Sequence, residues 1–240
     1  MSRQSSFTLP PAPIDRRRTS GVVADRLLET ITSHTLLPGD PFPVEREIAA
    51  AYGVGRSTVR EALRILESQG LIMATSGGSF AVAEAAQPLQ RSLRLVMALD
   101  AAPGYADLFE LRRIVDCAAA ELAAERRRPA DLDLMEGAIA EMVGALEHGD
   151  ASSFIDADVS FHIAIAEATG NTLVTHTLDA IRDLLRDALL EIFRIPGSAA
   201  RAIDEHRAIL NAIRAGDARE SRDAARAHLD RVEAATRGDR

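Results

Sequence analysis

Asp158 and His162 stand four residues apart in the stretch ASSFIDADVSFHIAIAEAT. On a helix that spacing stacks a carboxylate and an imidazole on one face, as a chelating pair requires. The apolar residues around them share the face: Phe154, Asp158, Phe161, His162 and Ile165 fall at i, i+4, i+7, i+8 and i+11, so both polar groups are expected to point into a core. Two further histidines lie on apolar stripes of their own, His206 with Ile203, Leu210 and Ile213, and His228 with Ala218, Ser221, Ala225 and Val232. A single inward imidazole needs only two hydrogen-bond partners and is usually a core residue. Three of them with an aspartate are harder to satisfy, because burying an unpaired carboxylate is costly, and a divalent cation held by one Asp and three His offsets that cost. Asp158, His162, His206 and His228 are therefore the expected metal ligands. His34, His148 and His176 fall at helix ends or off the inward stripes and read as solvated. The single cysteine, Cys117, excludes an internal disulfide framework and reads as a small buried apolar residue.

A second chemistry is concentrated near Arg56. From Glu45 to Ala51 a short helical pattern turns Ile48 and Ala49 inward, and Tyr52-Gly53-Val54-Gly55 interrupts it. A new helix is expected to start near Arg56, with Ser57 or Thr58 as N-cap and capping-box spacing over Thr58-Val59-Arg60-Glu61. Its buried stripe is Val59, Ala62, Leu63 and Leu66, which leaves Arg56, Ser57, Thr58 and Arg60 around the exposed N-terminal end. Arginine there can fork onto guanine, hydroxyls can reach phosphates or bases, and the helix terminus itself favours a phosphate. Gln69-Gly70 ends the helix. Leu71-Ile72-Met73 and Ser79-Phe80-Ala81-Val82 then form a hairpin whose tip, Gly77-Gly78, can lie close to a sugar-phosphate backbone.

The elements that carry these groups are nearly all helical. With 47% apolar residues and 4% aromatics in 240, the chain has room for two domains packed through Ala, Leu and Ile. Val23, Leu27, Leu28 and Ile31 make an amphipathic first helix, and Leu37-Pro38-Gly39-Asp40 turns the chain into the helix pair. Beyond Val82 the periodicity predicts seven helices near 88–99, 105–127, 130–147, 151–169, 171–193, 198–215 and 217–236. Short breaks such as Pro103-Gly104, Gly149-Asp150 and Gly216-Asp217 separate them, which implies an antiparallel bundle. The expected fold class is mainly α, three helices with a small hairpin followed by that bundle.

Charge divides along the same line. Residues 1–86 hold nine Arg and nine acids, so the remaining 19 Arg and 27 acids give the second part the whole net charge of -8. A neutral reader with arginines gathered on one face can bind a polyanion, and an acidic partner domain is held away from it. The basic triplet Arg16-Arg17-Arg18 in a disordered arm over 1–18 could trail along phosphates or have no role. No apolar run approaches the roughly 20 residues that span a bilayer, so no membrane partner is expected and the expected location is the cytoplasm.

Leu37-Pro38-Gly39-Asp40, Val44-Glu45-Arg46-Glu47-Ile48-Ala49, the run from Tyr52 to Leu63, Leu66-Glu67-Ser68-Gln69-Gly70-Leu71-Ile72 and Gly77-Gly78-Ser79-Phe80 together resemble the winged helix-turn-helix of the GntR superfamily of bacterial transcription regulators. The resemblance implies DNA contacts from Arg46, Arg56, Ser57, Thr58 and Arg60, with Gly77 at the wing. Gly55 stands where that family usually has Ser. Asp158-Val159-Ser160-Phe161-His162, Ala168-Thr169-Gly170-Asn171, Glu205-His206-Arg207-Ala208-Ile209 and His228 resemble the FCD effector domain of the FadR subfamily. It implies that the Asp and three His hold a divalent metal, zinc or nickel, with a small carboxylate effector beside it; acyl-CoA-binding members lack this set. Glu110-Leu111-Arg112 resembles the segment whose Arg faces the effector, with Asp116 where the family usually has Glu. For Arg112 a surface ion pair remains the alternative.

The expected organisation is an arm over 1–18, a DNA-binding domain over 19–82, a linker over 83–88, and an effector-binding and dimerisation domain over 89–237. The expected function is a ligand-responsive regulator, of repressor type, binding an inverted-repeat double-stranded DNA operator as a homodimer. The rival is a metal-dependent hydrolase with a DNA-binding appendage, since such an ion can activate water. No free general base lies on the inward stripes, so no catalytic residue is assigned.

Overall fold

The computed structural model describes residues 19–99 and 105–237. The basic arm and the Pro103-Gly104 break lie outside these residues. Among them the chain forms ten helices and one two-stranded antiparallel sheet, and it divides into two compact units between Glu84 and Ala85.

The first unit comprises α1 (Thr19–Thr32), α2 (Glu45–Tyr52), α3 (Arg56–Ser68), β1 (Ile72–Ala74) and β2 (Phe80–Val82). Val23 and Leu27 of α1, Ile48 of α2, and Val59, Ala62, Leu63 and Leu66 of α3 close one core with Ile72 and Val82 of the hairpin. The register pairs Ile72 with Val82, Met73 with Ala81 and Ala74 with Phe80. The segment before α2 ties the hairpin down: the Phe42 amide donates to Phe80 O at 2.7 Å and the Val82 amide to Asp40 O at 2.9 Å. Gly53 ends α2 in the left-handed region, φ 64°, where a side chain would be strained.

One local expectation is corrected. The N-cap of α3 is Gly55, with no side-chain capping bond, so Ser57 and Thr58 lie inside the first turn. The backbone enters the helix one step earlier than the hydroxyls, because the break itself sits at Gly55. Its first-turn amides are therefore left without a side-chain acceptor from the cap.

The second unit contains α4 (Gln87–Leu99), α5 (Tyr105–Arg126), α6 (Pro129–His148), α7 (Ala151–Ala168), α8 (Thr172–Phe193), α9 (Ser198–Ala215) and α10 (Ala218–Arg237). Helix α5 packs against α7, α8, α9 and α10, which makes it the axis of the bundle. Its small buried residues Ala119, Ala120 and Ala123 let these neighbours approach closely. Asn171 and Asp217 cap α8 and α10 by accepting from the amides of Leu173 and Glu220. Gly216, φ 76°, ends α9 where an added Cβ would meet the Arg127 guanidinium at 2.8 Å. No described helix is long and apolar enough to cross a membrane.

Candidate functional site

The four expected ligands converge. Asp158 and His162 on α7, His206 on α9 and His228 on α10 are all buried, and one donor atom from each lies within 4.8 Å of the others. His162 Nε2 is 3.2 Å from His206 Nε2, which is 3.4 Å from Asp158 Oδ1. Donors held at 2.0–2.1 Å around a tetrahedral zinc ion lie about 3.3 Å apart, so these spacings suit one ion. His228 Nε2 supplies an independent sign: it is buried with no hydrogen-bond partner, while its Nδ1 meets Glu205 Oε2 at 2.8 Å. That carboxylate holds the Nδ1 proton and leaves the Nε2 lone pair facing the cluster. Asp116 Oδ2 lies 3.4 Å from His162 Nδ1, a longer contact beside the second ring.

Electrostatics keeps the rings ready to ligate. Burial pushes the pKa of His162 and His206 well below the ordinary imidazole value, and nearby Arg182 and Arg112 push the same way. His228 is also lowered, by burial first, with Glu205 opposing. Neutral imidazoles are the ligating form. Burial alone would raise the Asp158 carboxyl, but Arg182 and the other positive neighbours outweigh it and hold it at about 2.

Three residues that the helical patterns had not singled out complete the site. Arg182 on α8 is fully buried and donates through Nη1 to Asp158 O at 3.1 Å and Asp158 Oδ2 at 3.3 Å, which leaves Oδ1 turned toward the histidines. Glu205 accepts from Arg231 Nε at 2.6 Å as well as contacting His228. Their sequence signals were uneven: Arg182 lies on the apolar stripe of Leu178, Ile181, Leu185 and Leu189 and could have been noticed there, whereas Glu205 and Arg231 flank stripes that are otherwise ordinary.

Arg112 is fully buried, so a surface ion pair is ruled out for it. It donates through Nε to Asp116 Oδ2 at 2.9 Å and through Nη2 to His162 Nε2 at 3.1 Å, while Nη1 has no partner. His162 Nε2 has one lone pair, which Arg112 or an ion can take, but not both. A small cavity runs beside the cluster and is lined by Arg112, Asp158 and His228. Cys117 is buried and burial pushes its thiol up to about 11, which suits an inert packing residue.

In the first unit, Arg46, Arg56 and Gly77 line one groove between the starts of α2 and α3 and the hairpin tip, and Ser57, Thr58 and Arg60 lie outside its lining. Arg46, Arg56, Ser57 and Arg60 are exposed and Thr58 is half-buried. Arg60 Nε is held by both oxygens of Glu45, at 2.9 and 3.0 Å. The hairpin turn is closed by Thr75 N to Ser79 O at 2.8 Å and Gly78 N to Thr75 O at 3.0 Å, with Gly78 at φ 73°.

Comparison with known proteins agrees with these two units. Residues 19–82 match the model of bacterial regulatory proteins of the gntR family, and residues 107–231 match the FCD domain. The HTH-type transcriptional regulator LutR of Bacillus subtilis is 33% identical over 213 residues, covering 85% of this chain and 94% of the relative. The putative L-lactate dehydrogenase operon regulatory protein of Escherichia coli is also 33% identical, over 226 residues, covering 90% of this chain and 85% of the relative. A solved structure of Streptococcus agalactiae GntR superposes with a TM-score of 0.65 at 28% identity, covering 91% of this chain and 99% of that one. These relatives are regulators, and the hydrolase alternative finds no support among them. The chain belongs to the GntR family of bacterial transcription regulators and is a ligand-responsive, DNA-binding member with an FCD domain.

Proposed function

We propose that this regulator binds an inverted-repeat operator as a homodimer, acts as a repressor, and alters its hold on DNA when a small organic acid enters beside a divalent ion held by Asp158, His162, His206 and His228. The observation that carries this reading is the buried donor set abutting a cavity onto which Arg112 brings a guanidinium with an unpartnered Nη1. Three nitrogens and one carboxylate oxygen suit zinc, and nickel is the second choice. The ion would supply positive charge for a carboxylate. Arg112 would grip the same carboxylate through the edge that Asp116 does not use. One relative is named for an L-lactate dehydrogenase operon, which is consistent with a short acid as the signal. The coupling requires only that the acid prefer one arrangement of the dimer over another. A thermal-shift screen of short carboxylates on the zinc-loaded protein tests the reading, because a ligand of the native state raises the melting temperature. No shift with any acid would refute it.

On the DNA side, the uncapped start of α3 offers its amides to a phosphate, and Arg46, Arg56 and the Gly77 tip border the same groove. Ser57 and Thr58 join them as hydroxyl contacts, and Arg60 reads a base with the guanidinium edge that Glu45 leaves available. Arg56→Ala and Arg60→Ala should each weaken binding to a selected operator roughly ten- to hundredfold, with much smaller losses on random DNA. Equal losses on both DNAs would make them phosphate contacts only.

Dimerisation is assigned to the helical unit. None of the residues of α4 is buried: Leu93 and Met97 pack against the bundle core, while Leu95, Val96 and Leu99 stand 60%, 63% and 78% exposed. The apolar residues of this helix are thus split, with Leu93 and Met97 on the bundle side and Leu89 and Val96 exposed. The exposed set suits a second copy, and one reader alone offers too little contact for a specific site. Sedimentation at micromolar concentration should give a dimer; a monomer with and without operator would contradict this.

A further inference from the structure

The cavity beside the ligand cluster has a second charged wall. Besides the apolar side chains of Phe154, Ile192 and Phe193 it is lined by Arg112 on α5 and by Arg231 on α10. Arg231 spends Nε on Glu205 and Nη1 on Ser198 Oγ, at 2.6 and 3.3 Å, and its Nη2 is buried with no partner. Arg112 likewise keeps one unpartnered nitrogen, Nη1. Two guanidinium groups from different helices therefore border one cavity, each with one N–H edge lacking an acceptor. A buried donor on a cation is costly to leave unpaired, so such edges mark places for a ligand's oxygens.

A charge count indicates how many negative groups that ligand carries. Each carboxylate around the cluster already has its own guanidinium: Asp116 with Arg112, Asp158 with Arg182, and Glu205 with Arg231. These pairs sum to zero, and the histidines are neutral. A divalent ion among them adds two positive charges that no side chain at the site answers, in surroundings where an uncompensated charge is strongly disfavoured. A ligand with two negative charges restores the balance. The cavity is small, about 30 Å³ before any ligand enters, so the acid is short and its binding widens the space between the side chains around it. Its apolar wall disfavours a chain bearing many hydroxyls, as in a sugar acid, because those hydroxyls would lose water without gaining partners.

We infer that the effector is a short dicarboxylate, with one carboxylate at Arg112 and the ligand cluster and the other at Arg231 Nη2. The inference rests on the reading of this cavity as the effector site. Calorimetric titration of the zinc-loaded full chain compares malonate, succinate and glutarate with propionate, lactate, butyrate and valerate. At least one diacid should bind about tenfold or more tightly than every monoacid, the scale of one added charge-assisted contact. Arg231→Met should erase that preference and Arg231→Lys, which keeps a cation beside Glu205, should restore part of it, each compared with the parent at equal zinc content by elemental analysis. Monoacids binding as tightly as diacids to the unaltered protein would overturn the dicarboxylate and leave the effector site standing. Binding of neither class would overturn both. Because the comparison of acids needs no variant, it decides the matter even if Arg231→Met fails to fold.

Discussion

Chelating the metal-loaded protein should lower its melting temperature by on the order of 10 °C, and His206→Ala and His228→Ala should each lose most of the bound metal. The ion would join α7, α9 and α10, so the free energy of binding becomes stability of the bundle. At free metal a thousand times the dissociation constant, mass action contributes about 4 kcal/mol, and a domain of this size shifts by roughly 2–4 °C per kcal/mol. Acid should have the same effect as the chelator. The three histidines have folded pKa values below their unfolded one, so their neutral burial stabilises the fold above about pH 6.5. That contribution is lost as pH falls below this value toward the depressed folded values, and a bound ion moves the midpoint lower still by competing with the proton. The Asp158 contribution fades only further down, between the ordinary carboxyl value and about 2. Elemental analysis of protein purified without chelator is the direct check. Near-stoichiometric metal persisting in both alanine variants would return these histidines to an ordinary hydrogen-bonded core.

Arg182→Met should produce the largest loss of any single substitution in the metal-free protein, about 3–5 kcal/mol, because it leaves the buried Asp158 carboxylate without its guanidinium. Methionine nearly fills the volume, so most of the effect is charge rather than cavity. Loading with zinc should recover much of the loss, since the ion answers the same carboxylate. The difference between metal-free and metal-loaded melting, measured on parent and variant, isolates the electrostatic part. A variant equally destabilised with and without metal would show that Arg182 acts through packing alone.

The helical patterns were legible because burial repeats every 3.6 residues, and the break residues fall where the helices stop. Thus the fold class, the stripe of α3 and the inward placement of Asp158, His162, His206 and His228 could all be read from spacing. The N-cap of α3 could not be read as surely, since Ser57, Thr58 and Gly55 all lie within three residues and only the backbone trajectory separates them.

Periodicity by itself determined which residues share a face, and so that four groups able to ligate a metal would be buried on three helices. It could not determine which faces meet. Arg112 and His162 are 50 positions apart, and Arg182 and Asp158 are 24 apart; their contacts depend on how α5, α7 and α8 pack. Only the tertiary structure decided that Glu205 orients the His228 imidazole, that Arg182 neutralises the aspartate, and that Arg231 reaches the same cavity as Arg112. The reason is physical: a charged residue on a helix is placed by the neighbour that can neutralise it, and a single helix carries no record of that neighbour.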